Sequence, residues 1–229
     1  MSAPKMAVAG PKPAPELSTS ERFLMKLNEF FDLPLTMRSR GVVLLAIVLL
    51  VPAFFLPLYH MTLYSNQFPE GLNLYIYAGS LQGGHPQDRD DLKEINTLNH
   101  YIGMRALDPA DFTEFKWIPL MLGFFVILGL RVVVLGKVQN LVDTFVLFAW
   151  FGLFAAWQFY ERLYTYGHNL DPKAPVKVEP FMPPIFGSKT MANFEVFNYP
   201  GAGSYFMIAF ALLLIVAACL SVRKQRGAA

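Results

Sequence analysis

Four long apolar blocks dominate the chain and predict four transmembrane helices. They cover residues 41–59, 117–135, 141–160 and 204–222. Each block is close to the ~20 residues with which a helix crosses the ~30 Å hydrocarbon core of a bilayer. Only residues 136–140 separate the second block from the third, so these two blocks should form an antiparallel hairpin. We therefore expect an all-α integral membrane protein.

A fifth segment, residues 21–33, is amphipathic rather than uniformly apolar. Phe23, Leu27 and Phe30 recur at helical spacing, with charged residues between them. Such a helix is typical of a segment that lies in the membrane interface, and it is equally typical of one that packs on a partner subunit. Residues 1–20, mostly Ala, Pro, Lys and Ser, predict an extended tail.

The long loop 60–116, between the first two spans, contains one predicted helix over residues 88–104. Three aspartates fill its first turn, where the helix dipole favours negative charge. An apolar stripe follows, formed by Leu92, Ile95, Leu98 and Ile102. Gly103 suits the C-terminal cap of this helix. The second long loop, residues 161–203, is rich in proline.

Composition agrees with a membrane protein and argues against a nucleic-acid partner and against cysteine-based sites. The chain is 54% hydrophobic and only 16% charged, whereas a soluble domain carries roughly 25% charge. The net charge of +2 is too small to indicate a nucleic-acid partner. A single cysteine, Cys219, allows neither a disulfide within the chain nor a paired-cysteine metal site.

The distribution of charge predicts the orientation in the membrane. Residues 1–40, the turn region 131–143 and the tail 223–229 carry 11 of the 19 Lys and Arg residues and 5 of the 17 acidic residues, a net of +6. The two long loops carry the other 8 basic and 12 acidic residues, a net of −4. By the positive-inside rule both termini are cytoplasmic. We expect a bacterial cytoplasmic (inner) membrane, with both loops forming a cap in the periplasm.

All four histidines, which are His60, His85, His100 and His168, fall in the two predicted periplasmic loops. His100 and Met104 are four residues apart, which places them on one face of the predicted helix. An imidazole with a thioether is a soft donor pair that suits Cu(I) or haem iron. His60 and Met61 offer the same pair at the end of the first span. The alternative is structural, because the helix dipole alone explains a histidine at a helix C-terminus.

An apolar stretch in the second loop predicts a contact surface. Its members Phe181, Met182, Ile185 and Phe186 lie outside the predicted spans. Exposed apolar segments usually mark docking surfaces. With Phe23, Leu27 and Phe30 of the amphipathic helix, they are the candidate partner-docking residues. The alternative is that both loops pack on each other as an outer cap.

Several chemical functions receive no support from the sequence. The chain has no P-loop, GxSxG, HExxH or CxxCH motif. The spans hold few ionisable groups, and proton-coupled transport normally needs acids near the bilayer midplane. We therefore expect neither an enzyme nor a transporter, and the spans are typical of a scaffold.

The segment from Glu94 to Met104 (EINTLNHYIGM), followed by a span that begins with Trp117, resembles the NosB family of four-span membrane proteins. That family is associated with nitrous oxide reductase gene clusters. The matching residues are Asn99, His100, Tyr101, Gly103 and Met104. The resemblance implies a role in copper delivery, or in electron supply to a periplasmic copper enzyme, and it assigns no catalytic residue.

Together these patterns favour a non-enzymatic accessory membrane protein that supports a periplasmic copper- or haem-containing electron-transfer system. Copper is the candidate cofactor, although the same donors also suit haem iron. The alternative is a structural subunit of a respiratory or photosynthetic complex with no metal of its own. In both cases the partners are membrane lipids and other membrane or periplasmic subunits, with no nucleic acid.

The charge distribution generates a test of topology. Reporter fusions at Ala229 and at Lys177 should report opposite compartments, with Ala229 cytoplasmic, because the +6 and −4 sides face opposite membrane surfaces. Paired phosphatase and fluorescent-protein fusions measure this directly. Both fusions reporting one compartment would contradict the four-span arrangement.

Overall fold

A computed structural model of the chain describes residues 18–84, 89–191 and 194–226. Within these ranges, four helices are long and apolar enough to cross a membrane. They are α2 (Met37–Leu50, continued by a 3-10 turn to Phe54), α4 (Glu114–Leu135), α5 (Val138–His168) and α6 (Ala202–Arg226). Two further helices are α1 (Thr19–Asp32) and α3 (Asp91–Tyr101). These lengths and compositions are those of a multi-pass membrane protein.

The expectation of an all-α chain is wrong, because the two long loops build a five-stranded antiparallel sheet. Its strands are β1 (Tyr59–Tyr64), β2 (Leu72–Ile76), β3 (Leu81–Gly83), β4 (Gly187–Met191) and β5 (Phe194–Pro200), in the order β3-β2-β1-β5-β4. Strand β1 comes from the first loop and β5 from the second, and they pair along their length. The described parts of the loops therefore form one unit, residues 55–84, 89–113, 169–191 and 194–201, which we call the cap.

Alternating side chains give the sheet two different faces. One face carries Met61, Leu63, Leu72, Leu74 and Val196, which pack towards α3. The other face carries His60, Tyr75 and Tyr199, which lie in register on three neighbouring strands. This two-residue period is the ordinary consequence of strand geometry.

Two span ends differ from the sequence prediction by more than four residues. The first helix does not reach Tyr59: the 3-10 turn ends at Phe54, and Tyr59 begins β1. Pro52 and Pro57 account for this early end, since proline cannot donate the backbone hydrogen bond that continues a helix. Helix α5, by contrast, has 31 residues. At 1.5 Å per residue it is roughly 46 Å long, so it extends beyond the bilayer into the cap.

The bundle core lies between α2, α4, α5 and α6. Its fully buried side chains include Val43, Leu50, Leu122, Phe125, Phe210 and Leu214. Small residues bring the helices close: a Cβ added at Gly129 of α4 would lie 2.7 Å from Cγ1 of Ile47 on α2. At the end remote from the cap, the Ser221 hydroxyl donates to the Ser39 hydroxyl at 2.7 Å, which joins α6 to α2.

Helix α1 lies at that same remote end. Ser18 and Glu21 form a capping box at its start. Backbone hydrogen bonds from Leu35 to Gly136 and from Val138 to Leu33 tie the segment after α1 to the turn between α4 and α5. None of its residues is buried. Of the docking residues assigned to this helix, Phe23 and Leu27 are exposed, whereas Phe30 packs against the bundle core.

The Gly129–Ile47 contact predicts a stability difference between two glycines of α4. Gly129→Ala should destabilise the folded bundle by about 1–3 kcal/mol, because the added methyl group overpacks a closed contact. Gly123→Ala is the matched control, since a Cβ there meets nothing within 4 Å. Thermal unfolding of both variants in detergent micelles measures the difference. Equal midpoints would show that α2 and α4 do not pack closely at Gly129.

Candidate functional site

The end of α3 brings the two loops together through a tight helix cap. Gly103 has a positive φ of 78°, which confirms the predicted C-terminal glycine cap. Its N–H donates to the His100 carbonyl at 3.2 Å, and the Met104 N–H donates to the Asn99 carbonyl at 2.8 Å. This pair of bonds is a Schellman motif. The predicted helix over 88–104 is therefore too long at its end: α3 stops at Tyr101, and Met104 lies beyond it.

The second loop crosses over this cap. The Asp171 N–H donates to the Gly103 carbonyl at 2.8 Å, and the Val176 N–H donates to the Tyr101 carbonyl at 2.9 Å. The approach is close, because a Cβ added at Gly103 would lie 2.9 Å from both the backbone nitrogen and the backbone oxygen of Asp171. Glycine is therefore required at 103 for its φ and for this crossing.

The crossing forms an open groove of about 800 Å³ on the cap. His100, Met104 and His168 all line it, together with Asp171 and Lys173. His100 and Met104 thus face one groove, although they do not share a helix. His168 joins them because α5 continues into the cap and ends there.

His168 is held in a defined orientation. Its Nδ1 lies 2.9 Å from the Tyr164 carbonyl oxygen, and its ring stacks on the Tyr164 ring with centroids 3.8 Å apart. A carbonyl oxygen can only accept, so Nδ1 carries the proton in the neutral ring. The Nε2 lone pair is then free for a metal ion or a proton, which is how ligand histidines are commonly oriented.

His100 is exposed at the end of α3. Within the described part of the chain, its ring nitrogens have no hydrogen-bond partner, and the ring contacts Tyr101 edge-on at 6.4 Å. The two imidazoles of the groove are therefore both available, one oriented by the backbone and one accessible from solvent.

The side chains of the second predicted donor pair, His60 and Met61, do not face a common site. The two residues are consecutive in β1, so their side chains point to opposite faces of the sheet. Nε2 of His60 is 3.1 Å from the Asn73 side-chain oxygen, and its ring stacks on Tyr75 at 4.5 Å. Met61 packs with the apolar cluster on the other face. His85 lies outside the described residues.

The predicted docking segment divides between the interior and the surface. Phe181 is half-buried, and its N–H donates to the Gly167 carbonyl at 3.0 Å. Met182 is also half-buried, and its carbonyl accepts from Lys189 at 3.0 Å. Ile185 and Phe186 are exposed, at 44% and 68% of their surface.

Exposed rings extend this segment across the sheet. Phe186 contacts Tyr199 edge-on at 5.4 Å, and Tyr64 contacts Phe197 edge-on at 5.5 Å. The Tyr59 hydroxyl donates a hydrogen bond to the Ile185 carbonyl, which ties this segment to the start of β1. Burial raises the pKa of the Tyr59 hydroxyl, so it remains a donor at neutral pH.

Harder metal sites are not seen in the described ranges. No group of three or more His, Cys, Asp or Glu residues there could hold a metal ion. The side chains of the groove that could bind a metal are the imidazoles of His100 and His168 and the thioether of Met104, with the Asp171 carboxylate also in the lining.

Comparisons of the chain with protein-family models, curated proteins and solved structures found no match of any of the three kinds.

The loop crossing at Gly103 generates a second pair of matched variants. Gly103→Ala should destabilise the cap by more than the ~1–3 kcal/mol typical of backbone strain alone, because the methyl group also meets the Asp171 backbone. Gly187→Ala is the control: its φ is also positive, at 86°, but a Cβ there meets nothing within 4 Å. Hydrogen exchange of residues 95–104 measures local opening. Equal protection in both variants would contradict the crossing.

Proposed function

We propose that this chain is a non-enzymatic accessory membrane protein that supports a periplasmic copper- or haem-containing electron-transfer system. The observation that carries the proposal is the groove, where His100, Met104 and His168 line one surface of the cap. The four spans anchor that surface at the membrane.

The donor set fits Cu(I) better than harder ions. Imidazole and thioether ligands select soft metals, whereas Ca²⁺, Mg²⁺ and Mn²⁺ prefer carboxylate and carbonyl oxygens. The groove supplies three soft donors within one chain and remains open on one side. An open site of this kind suits transient holding and transfer of an ion rather than a permanent structural metal.

The position of the groove also fits delivery at a membrane surface. Tyr160 and Tyr164 are exposed on α5 below His168, where aromatic side chains typically mark the headgroup level. His168 is eight residues beyond Tyr160, which corresponds to roughly 12 Å along a helix. The charge distribution of the chain favours the periplasmic side for the cap. The resemblance of residues 94–104 to the NosB family supports the same assignment to a copper system.

The exposed aromatic side chains offer a docking surface for the partner metalloprotein. Tyr64 and Tyr199 lie on one face of the sheet, near opposite ends of the β1–β5 pair, and Phe186 contacts Tyr199; all three lie outside the spans. Aromatic residues are enriched in protein interfaces. Docking there would hold a partner beside the cap, so the same module combines recognition with metal holding.

One observation favours the alternative function, a structural subunit of a respiratory or photosynthetic complex. Phe23, Leu24 and Leu27 of α1 are exposed at 63%, 58% and 37%. Such a surface is suited to a neighbouring subunit as well as to the membrane interface. The structural-subunit function requires no metal in the groove, so a measurement of metal binding distinguishes it from the copper- or haem-system function.

The groove predicts a specific loss of Cu(I) affinity. His100→Gln, His168→Gln and Met104→Leu should each weaken Cu(I) binding by at least about tenfold, since each removes one soft donor. The matched control is His60→Gln, because His60 lies on the remote face of the sheet and bonds to Asn73. Competition with a chromophoric Cu(I) chelator measures the affinities of the detergent-solubilised protein.

Two results would overturn the assignment. Wild-type affinity in all three groove variants would show that copper binds elsewhere or not at all. Loss of binding in His60→Gln alone would place the site on the other face of the sheet. In the absence of Cu(I) binding by the wild type, the structural-subunit function would stand.

A further inference from the structure

A large apolar cavity lies between the cap and the outer halves of the spans. Its volume is about 660 Å³. Gly152 and Ala156 of α5 and Met207 of α6 line its membrane end, and Ile95 of α3 and Leu74 of β2 line its far end. It is distinct from the open groove, with which it shares only Met104.

Its membrane end has an opening in the wall of α5. Ala156 is exposed although it lines the cavity, and a Cβ added at Gly152 would meet nothing within 4 Å. Because α5 begins at Val138, the ~20 residues that cross the hydrocarbon end at about residue 158. The opening is therefore at hydrocarbon depth and faces the lipid.

The lining leaves little hydrogen-bonding capacity for a polar occupant. Arg162 donates to both carboxylate oxygens of Glu114, at 3.0 and 3.1 Å, and Lys189 donates to the Met182 carbonyl. Most other lining residues are aliphatic or aromatic. Water would find few partners there, whereas a hydrocarbon chain would gain packing contacts on all sides.

The size and the entrance narrow the class of ligand. An apolar cavity of ~150 Å³ holds one benzene molecule. This cavity is about four times larger, which is room for on the order of 20 carbon atoms. A peptide segment is excluded at the entrance, because its backbone groups would be unpaired in the hydrocarbon layer.

We propose that the cavity binds one acyl chain of a membrane phospholipid. The chain leaves the bilayer through the opening beside Gly152 and Ala156 and reaches α3 inside the cap. The rest of the lipid stays in the bilayer beside α5. The cap is then fixed to the membrane by a lipid as well as by the protein chain.

Photo-crosslinking in nanodiscs tests this assignment with the full-length protein. The probe is phosphatidylcholine with a diazirine at the end of one acyl chain, and mass spectrometry locates the label. Ile95 is only 2% exposed, so label there or on Leu98 requires a chain within the cavity. Leu153, which is 66% exposed on α5, serves as the standard for ordinary lipid contact.

Two variants block the cavity at its opening. Gly152→Phe places a ring in the lining, and Ala156→Phe places one at the exposed entrance, where it does not disturb packing. Both should reduce the labelling of α3 several-fold relative to Leu153. Gly123→Phe is the matched control, because Gly123 also has open space around its Cβ but does not line the cavity.

The outcomes are distinct. Label confined to lipid-facing residues such as Leu153 in the wild type would overturn the proposal, as would undiminished α3 labelling in both blocking variants. A second arm uses a prenyl quinone that carries the same diazirine. Labelling of Ile95 by the quinone alone would assign the cavity to a prenyl chain and would overturn the acyl assignment. These readouts do not depend on copper, so they are independent of the groove.

Discussion

The pairing of β1 with β5 is the constraint on which the rest of the cap depends. It joins Tyr59–Tyr64, directly after the first span, to residues directly before the last span. Pro57 and Leu58 accept backbone hydrogen bonds from Gly203 and Gly201, and the Ser204 hydroxyl also donates to Leu58, so the α6 start is fixed to the same point. The sheet is therefore positioned by the span ends themselves, and its apolar face is turned towards α3 and the bundle.

Given that pairing, the groove and the cavity follow from the lengths of two elements. Helix α5 extends past the bilayer and delivers His168 to the cap, while the second loop turns back over Gly103. A gap separates helix α3 from α5 and α6, and this gap is the apolar cavity. A shorter α5 would remove one wall of both sites, and a side chain at Gly103 would push the loop away from α3.

Local patterns in the sequence predict the helices well and the sheet poorly. The apolar blocks, the amphipathic run around Leu27 and the glycine after α3 each act within a few residues, so the sequence shows them directly. The strands also carry a local pattern, since Leu72, Leu74 and Ile76 alternate with polar residues. Their pairing, however, joins distant parts of the chain, and no local period encodes it. The position of His168 on a helix is indicated by the sequence, because Tyr160, Tyr164 and His168 recur every four residues from the predicted end of the third span onwards.

Met104 is the point where the two proposed sites meet. Its side chain lines both the open groove and the apolar cavity, so the same residue offers a thioether to one and a hydrophobic wall to the other. These roles depend on different properties of methionine: the sulfur lone pair in the groove, and volume with low polarity in the cavity. Leucine keeps the second property and loses the first. A Met104→Leu substitution would therefore remove the metal donor from the groove and keep the apolar wall of the cavity, even though the Schellman turn at Gly103 positions one residue for both.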